Sequence, residues 1–323
     1  RLNFMQIHDE EDFFEENFHQ SFKIVVPQDQ SPERVDKFLS SKSGYTRSRI
    51  SKYTKKIFIN GKEDKLSRIV YPYDVVEIYL EPLQEYNEII PQYYDLNILY
   101  EDKAILVLNK PAGITVHPAS GHPENTILNY VKYHFLKEGL IPLGDCGMVH
   151  RLDKDTEGLL IFAKDEKTQA NLRLQFANRL VKKKYLAILN GKILPEYATF
   201  VDRLQRNPLD RFRYKTGKEG REAILSYKAI STGGNYSVVD IDLQTGRTHQ
   251  IRVQFSSRGY PVAGDPIYGR DWNRIYEKYG MLLLSRKIEF IHPNLNKSIE
   301  FSIDLPERFK NFLKDNEIYL KEF

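Results

Sequence analysis

The chain has 323 residues, 41% of them hydrophobic and 12% aromatic, with a formal net charge of +4 and a single cysteine. That length can bury one large core and a smaller one, and the lone Cys146 excludes an intrachain disulfide framework and a Cys-based zinc site while fitting a reducing compartment. No run approaches the ~18 apolar residues of a membrane span, and the acidic start lacks the order of a signal peptide, so a soluble, cytoplasmic monomer without membrane contact is expected.

Charge is unevenly distributed along the chain. Residues 1–21 read as an acidic extension, with six acids (Asp9, Glu10, Glu11, Asp12, Glu15, Glu16), whereas residues 34–68 hold eleven Lys/Arg against three acids. Within the basic module, residues 22–81, Ser31 is placed to cap a helix with Pro32 at its first position and Val35, Phe38 and Leu39 as its apolar stripe. A second helical stretch from about Thr46 sets Arg49, Lys52 and Lys56 on one face while Ile50 turns inward. Asn60-Gly61 is a hairpin signal, and "DVVEIYL" supplies a later strand. Such a cationic stripe grips phosphates, giving salt-dependent affinity with little sequence preference. Residues 82–96, with two prolines and four acids over 81–96, read as a linker.

From 97 to 310 the pattern is mixed α+β. "NILYEDKAILVLNK" gives two strands around a charged turn, "NTILNYVKYHFL" a helix with Ile127, Val131 and Phe135 inward, and "GLLIFAK" a buried strand. "DEKTQANLRLQFANRL" is an Asp-capped helix, "KKKYLAILNGKI" and "YSVVDIDLQTG" are strands, and "RTHQIRVQFSS" turns helical. Residues 202–222 carry seven Lys/Arg against four acids and read as a loop pair facing a polyanion. Residues 311–323 are expected as a C-terminal tail.

Charged segments at strand ends are where sites on a rigid scaffold sit. Asp153, in "CGMVHRLDKDTEGLLIFAK", lies on such a loop between Arg151 and Lys154. It reads either as a working carboxylate or as half of an ion pair. A calcium loop is excluded, because the sixth-position glycine and twelfth-position Glu are missing and the flanking cations oppose a divalent ion. A serine hydrolase is disfavoured by the absence of a GxSxG elbow. No metal site is expected.

Four blocks in order, "HRLDKDTEGLLIFAK", "KKKYLAIL", "LQTGRTHQIRVQF" and "GYPVAGDPIYG", resemble the RluA-type pseudouridine synthases over roughly residues 95–305. Residues 22–81, with "RVDKFL" and "TRSR", resemble the small S-four-type RNA-binding domain that some of them carry. The resemblance implies a mainly antiparallel β-sheet catalytic domain beside a small α/β RNA-binding domain. It implies conversion of uridine in RNA to pseudouridine, without a cofactor, on large-subunit ribosomal RNA or, as an alternative, on transfer RNA; a non-catalytic ribosome-assembly factor is the further alternative. It assigns the catalytic carboxylate to Asp153, a base-facing tyrosine to Tyr185, and the carboxylate-holding arginine to Arg252. Arg151, Arg247, His249, Arg34, Arg47, Arg49, Lys52 and Lys56 are the expected RNA contacts, Arg151 filling the space a flipped nucleotide leaves. Glu157 stands where a serine is usual and Gln254 where a histidine is usual.

Overall fold

Alternating apolar residues and one tight turn build the first of two units into which the chain divides, Arg1–Glu88 and Ile89–Phe323. The structure, a computed structural model, describes residues 20–43, 47, 50–51, 54–80, 89–118, 123–210, 213–269 and 272–320. In the first unit the elements are β1 (Gln20–Val25), β2 (Glu33–Arg34), α1 (Val35–Ser43), β3 (Thr54–Ile59), β4 (Lys62–Glu63), β5 (Ile69–Val70) and β6 (Val75–Leu80). An antiparallel sheet runs β1-β6-β3-β4, and β2 pairs with β5. Ile57 and Ile59 of β3 and Val76 and Ile78 of β6 alternate inward onto Val35, Phe38 and Leu39 of α1 and onto Ile50. Asn60 and Gly61 both have positive φ, 52° and 76°, as the two central residues of a type I′ hairpin require.

Two local expectations change. The helix starts at Val35, because the N–H groups of Val35 and Asp36 donate to Arg68 O and Leu66 O and tie residues 33–36 to the chain around β5; Ser31 and Pro32 lie outside it. Lys56 sits in β3 opposite Tyr79 and so cannot share a helix face with Arg49 and Lys52, which themselves lie outside the described residues. Arg34 and exposed Arg47 both bond Asp36, at 3.1 and 2.8 Å, and hold its carboxyl down at about 2, Arg34 contributing most.

The second unit contains β7 (Ile98–Glu101), β8 (Ile105–Lys110), α2 (Ile127–Lys137), β9 (Glu157–Ala163), α3 (Glu166–Ala177) and β10 (Lys182–Asn190). There follow β11 (Tyr197–Arg206), β12 (Tyr214–Thr216), β13 (Arg221–Gly233), β14 (Tyr236–Leu243), α4 (Gln250–Ser256), α5 (Trp272–Tyr279), β15 (Leu283–Ile291), β16 (Ser298–Ser302) and α6 (Glu307–Asp315). One ten-stranded sheet runs β12-β11-β13-β14-β10-β15-β9-β8-β7, with β16 on β15. Every pairing is antiparallel except β15 with β9. The fold is therefore mixed α+β with a mainly antiparallel sheet, as expected.

Period-two alternation in β10 divides the core. Tyr185, Ala187 and Leu189 join Ile127, Val131 and Phe255 on one face; Leu186 and Ile188 join Ile275, Phe309 and Phe312 on the other. Residues 311–320 are consequently not a tail, since Phe312, Leu313 and Ile318 complete that second cluster. Ile89, expected in the linker, is buried in the first. Helices α2, α3 and α4 fall where the sequence placed them, whereas α5 and α6 were not expected; α2 is capped by Thr126 and α3 by Asp165, whose carboxylate accepts from Thr168 N at 2.8 Å.

Candidate active site

The loop carrying Asp153 is short and held at both ends. It runs directly into β9, where Gly158 has φ +122° and any Cβ would lie 2.2 Å from Ser285 O; only glycine lets β9 approach β15 this closely. On the other side, buried Lys110 donates to Pro111 O, Ile114 O and Lys154 O at 2.7, 2.9 and 2.9 Å, stitching the loop after β8 to the Asp153 loop. Burial pushes the Lys110 ammonium down to about 7 against the charges of Asp155, Asp153 and Glu157. Three carbonyl acceptors at bonding distance suit the protonated form, and we assign that form at neutral pH.

Asp153 meets Arg252 across 99 residues of sequence. Arg252 Nη1 donates to Asp153 Oδ2 at 2.9 Å, while its Nε and Nη2 fork onto Oδ2 and Oδ1 of Asp265, both at 2.8 Å. Arg252 is 3% exposed and Asp265 fully buried, whereas the Asp153 side chain retains 21% exposure to the cleft. Asp265 Oδ1 also accepts the N–H groups of Ile267 and Tyr268, so it is fixed before it binds the guanidinium. Arg252 further lies 5.3 Å from the Tyr268 ring centre. The result is a rigid cation holding one exposed carboxylate, which answers the alternative left by the sequence: Asp153 is in an ion pair and also faces open space.

α4 aims this arginine. His249 precedes the helix with φ 56°, a left-handed conformation that costs a non-glycine residue free energy. The loop before it is pinned by Gln250, whose Oε1 accepts from Thr245 Oγ1 and Arg247 N at 2.8 and 3.0 Å. His249 Nδ1 lies 2.9 Å from the Tyr268 hydroxyl and its Nε2 3.9 Å from Asp153 Oδ2. Burial lowers the His249 pKa despite the Asp153 charge, with Arg252 adding to the effect, so the ring is neutral at neutral pH.

A cleft of about 110 Å³ opens over this network, lined by Arg151, Asp153, Tyr185, Arg247, His249 and Arg252 among others. All six are sequence-predicted site residues, drawn from three separate blocks. Tyr185 is 7% exposed; burial pushes its phenol up to about 12, Ser285 hydrogen-bonds it, and the Asp153 charge adds to the rise. It therefore presents a neutral ring to the cleft. His150 is not part of this wall: its Nε2 accepts from Ile161 N at 3.0 Å and its ring stacks on Phe176, which makes it a fastener for β9.

Asp265 was not assigned a role by sequence reading, although it is the only acid in the block "GYPVAGDPIYG". The signal was a buried arginine needing a second anion. The two departures from the expected pattern are both absorbed. Glu157 accepts from Arg308 Nε at 2.6 Å, and Gln254, fully buried, donates to Asp202 Oδ2 and Ala223 O while accepting from Gln250. Asp155 accepts from the Tyr276 hydroxyl at 3.1 Å, away from Arg252. Among the described residues no cluster of His, Cys, Asp and Glu is arranged to hold a metal ion, and no helix is long and apolar enough to cross a membrane.

Residues 104–257 match the RNA pseudouridylate synthase family. Over 296 residues the chain is 33% identical to the uncharacterized RNA pseudouridine synthase YlyB of Bacillus subtilis, covering 90% of this chain and 97% of that one. The chain belongs to the RNA pseudouridine synthase family. It is also 34% identical to ribosomal large subunit pseudouridine synthase D of Buchnera aphidicola, over 90% of this chain and 95% of that protein. Among solved structures, human RNA pseudouridylate synthase domain containing 1 superposes with a TM-score of 0.55 at 25% identity, covering 70% of this chain and 87% of the human one. A second human protein, RNA pseudouridylate synthase domain containing 4, gives a TM-score of 0.56 at 24% identity and supports the fold. As an RNA pseudouridine synthase, this protein is an isomerase that acts on RNA.

Proposed function

We propose that this pseudouridine synthase modifies large-subunit ribosomal RNA and that Asp153, Arg252 and Tyr185 carry the reaction. The observation behind the site assignment is the Asp265–Arg252–Asp153 chain, in which a buried guanidinium holds and orients one cleft-facing carboxylate. The RNA assignment rests on similarity to relatives named ribosomal large subunit pseudouridine synthase D.

In the isomerisation the N1–C1′ bond of uridine breaks, the uracil turns, and C5 bonds C1′; C5 loses its proton and N1 gains one, so no net oxidation occurs. An ionised carboxylate beside the sugar can attack C1′, take a ribose proton or stabilise positive charge there. Tyr185 supplies a flat neutral face against which the detached base is held while it turns. A uridine in folded RNA reaches this depth only when flipped out, at a cost of a few kcal/mol. Exposed Arg151, two residues before Asp153, would occupy the vacated position in this reading, supported by its place on the cleft wall beside Arg247 and His249. The first unit acts as an RNA-binding domain through basic groups that include Arg34, Arg47 and Lys56, recruiting RNA without choosing the base. The setting is the cytoplasm.

Mapping pseudouridines by chemical labelling in large-subunit ribosomal RNA, from cells with the gene, without it, and carrying Asp153→Asn, tests the proposal. One or more sites should vanish in both altered strains. Unchanged ribosomal RNA in the deletion strain would redirect the assignment to another RNA, and product from Asp153→Asn would remove Asp153 from the chemistry.

A further inference from the structure

β10 begins with three consecutive lysines, and their surroundings differ. Lys182 lies 3.0 Å from Glu289, and Lys184 lies 3.4 and 3.5 Å from Asp240 and Asp242. Lys183, between them, faces the opposite side of the strand, the side of Tyr185. Among the described residues its ammonium has no hydrogen bond and no anionic partner. It lies by Gly246, where an added Cβ would be 3.7 Å from Nζ, and 5.9 Å from the centre of the Phe176 ring.

That ammonium borders a second cavity, of about 340 Å³, which adjoins the active-site cleft and shares Arg151, Tyr185, Leu243, Gly246 and Arg247 with its lining. Its cations are Arg151, Arg179, Lys183 and Arg247, and no carboxylate lines it. Glu222 does not line it, but its Oε1 accepts from Arg179 Nη2 and its backbone O from Arg247 Nε. His150, on the remaining wall, is uncharged, its Nε2 accepting a backbone N–H. Burial and neighbouring Arg247 push Lys183 down to about 8, the mark of a cation lacking its counter-ion. A half-buried charge without a partner is costly unless a ligand supplies one.

Resting on the pseudouridine synthase site proposed above, we infer that Lys183, with Arg247 and Arg179, forms a subsite for an RNA backbone phosphodiester adjoining the flipped uridine. A phosphodiester remains ionised at all working pH values. The lysine offers a compact point charge to it, while the flanking arginines supply planar N–H pairs. Tyr185 and Lys183, two residues apart on one strand face, thus divide the nucleotide between base and backbone.

The test uses the full-length protein, Lys183→Met and Lys183→Arg. Binding is measured with polyuridylate at several salt concentrations, turnover with a large-subunit ribosomal RNA transcript, and stability by thermal unfolding. Lys183→Met should weaken polyuridylate binding about tenfold and flatten the slope of log affinity against log salt by roughly 0.7, the loss of one single-strand phosphate contact. It should raise KM more than it lowers kcat, and it should not lower Tm, because an unpaired half-buried charge has been removed. Lys183→Arg should restore most of the affinity. A Lys183→Met protein with wild-type affinity and salt slope overturns the subsite, as does a fall in Tm that accounts for lost binding and is reversed by arginine. Wild-type protein that binds polyuridylate with the lysine-dependent slope yet leaves the transcript unmodified would instead indict the ribosomal RNA assignment and leave the subsite standing.

Discussion

Replacing Asp265 by Asn separates the support of the active site from its chemistry. Asp265 is fully buried and takes two of the three bonds Arg252 makes to carboxylates, each at 2.8 Å. Asparagine keeps the shape but loses the charge, and its amide must turn a donor toward a guanidinium N–H. Removing one partner of a buried ion pair costs about 3–5 kcal/mol. Asp153 stays as a single-oxygen partner, which places the expected loss near the lower end, about 3 kcal/mol. For a unit of this size that is roughly 6–12 °C in Tm. Asp153→Asn should behave differently. Arg252 then keeps its two-pronged partner, and the altered group is already partly in water, so the loss is about 1 kcal/mol or less, a few degrees at most. Differential scanning calorimetry reads both stability losses, and tritium release from RNA labelled at uridine C5 reads turnover. Asp153→Asn is expected to be folded and inactive; Asp265→Asn is expected to be less stable, with kcat reduced about 10²-fold because Arg252 no longer aims Asp153. Equal Tm losses in the two variants, with Asp265→Asn turning over at the wild-type rate, would refute the claim that Asp265 holds the arginine in place.

Three further outcomes follow from the same geometry. Tyr185, held protonated up to about 12, should contribute no ionisation to the rate between pH 6 and 9; a rising limb in that range that Tyr185→Phe abolishes would show that its phenolate takes part. Asp36 has a folded pKa lowered from 3.8 to about 2, so its stabilisation of the first unit is present above about pH 4 and is lost as pH falls toward 2. Because Arg34 and Arg47 are about half exposed, that contribution is about 1 kcal/mol, and a carboxyl NMR titration of Asp36 with a midpoint near 4 would contradict it. Deleting residues 22–81 should weaken RNA affinity and flatten its salt dependence while leaving the second unit folded; unchanged affinity on filter binding would remove the recruiting role.

What could be read from the chain, and what could not, divides along physical lines. Where structure is set by near neighbours, the residues announce it: the positive φ pair at Asn60-Gly61, the Asp165 cap, and the inward spacing of Ile127, Val131 and Phe135 all follow from local periodicity or turn chemistry. The helix boundary at Val35 and the position of Lys56 were misread because long-range pairing decides them, through Arg68 and Leu66 in one case and Tyr79 in the other. The C-terminal residues looked like a tail because Phe312 and Ile318 gain meaning only against Ile188 and Leu284 across the sheet. The active site follows the same rule. Asp153, Tyr185 and Arg252 are legible as residue types within motifs, but their relation is not: 99 residues separate Asp153 from Arg252, and the anion that fixes Arg252 comes from yet another block. The triple lysine is the sharpest case. In sequence the three are equivalent, and only the strand's alternation sends Lys182 and Lys184 to carboxylates and leaves Lys183 facing a cavity without one. A charge run therefore reports how many cations are present, while the sheet decides which of them is left for RNA.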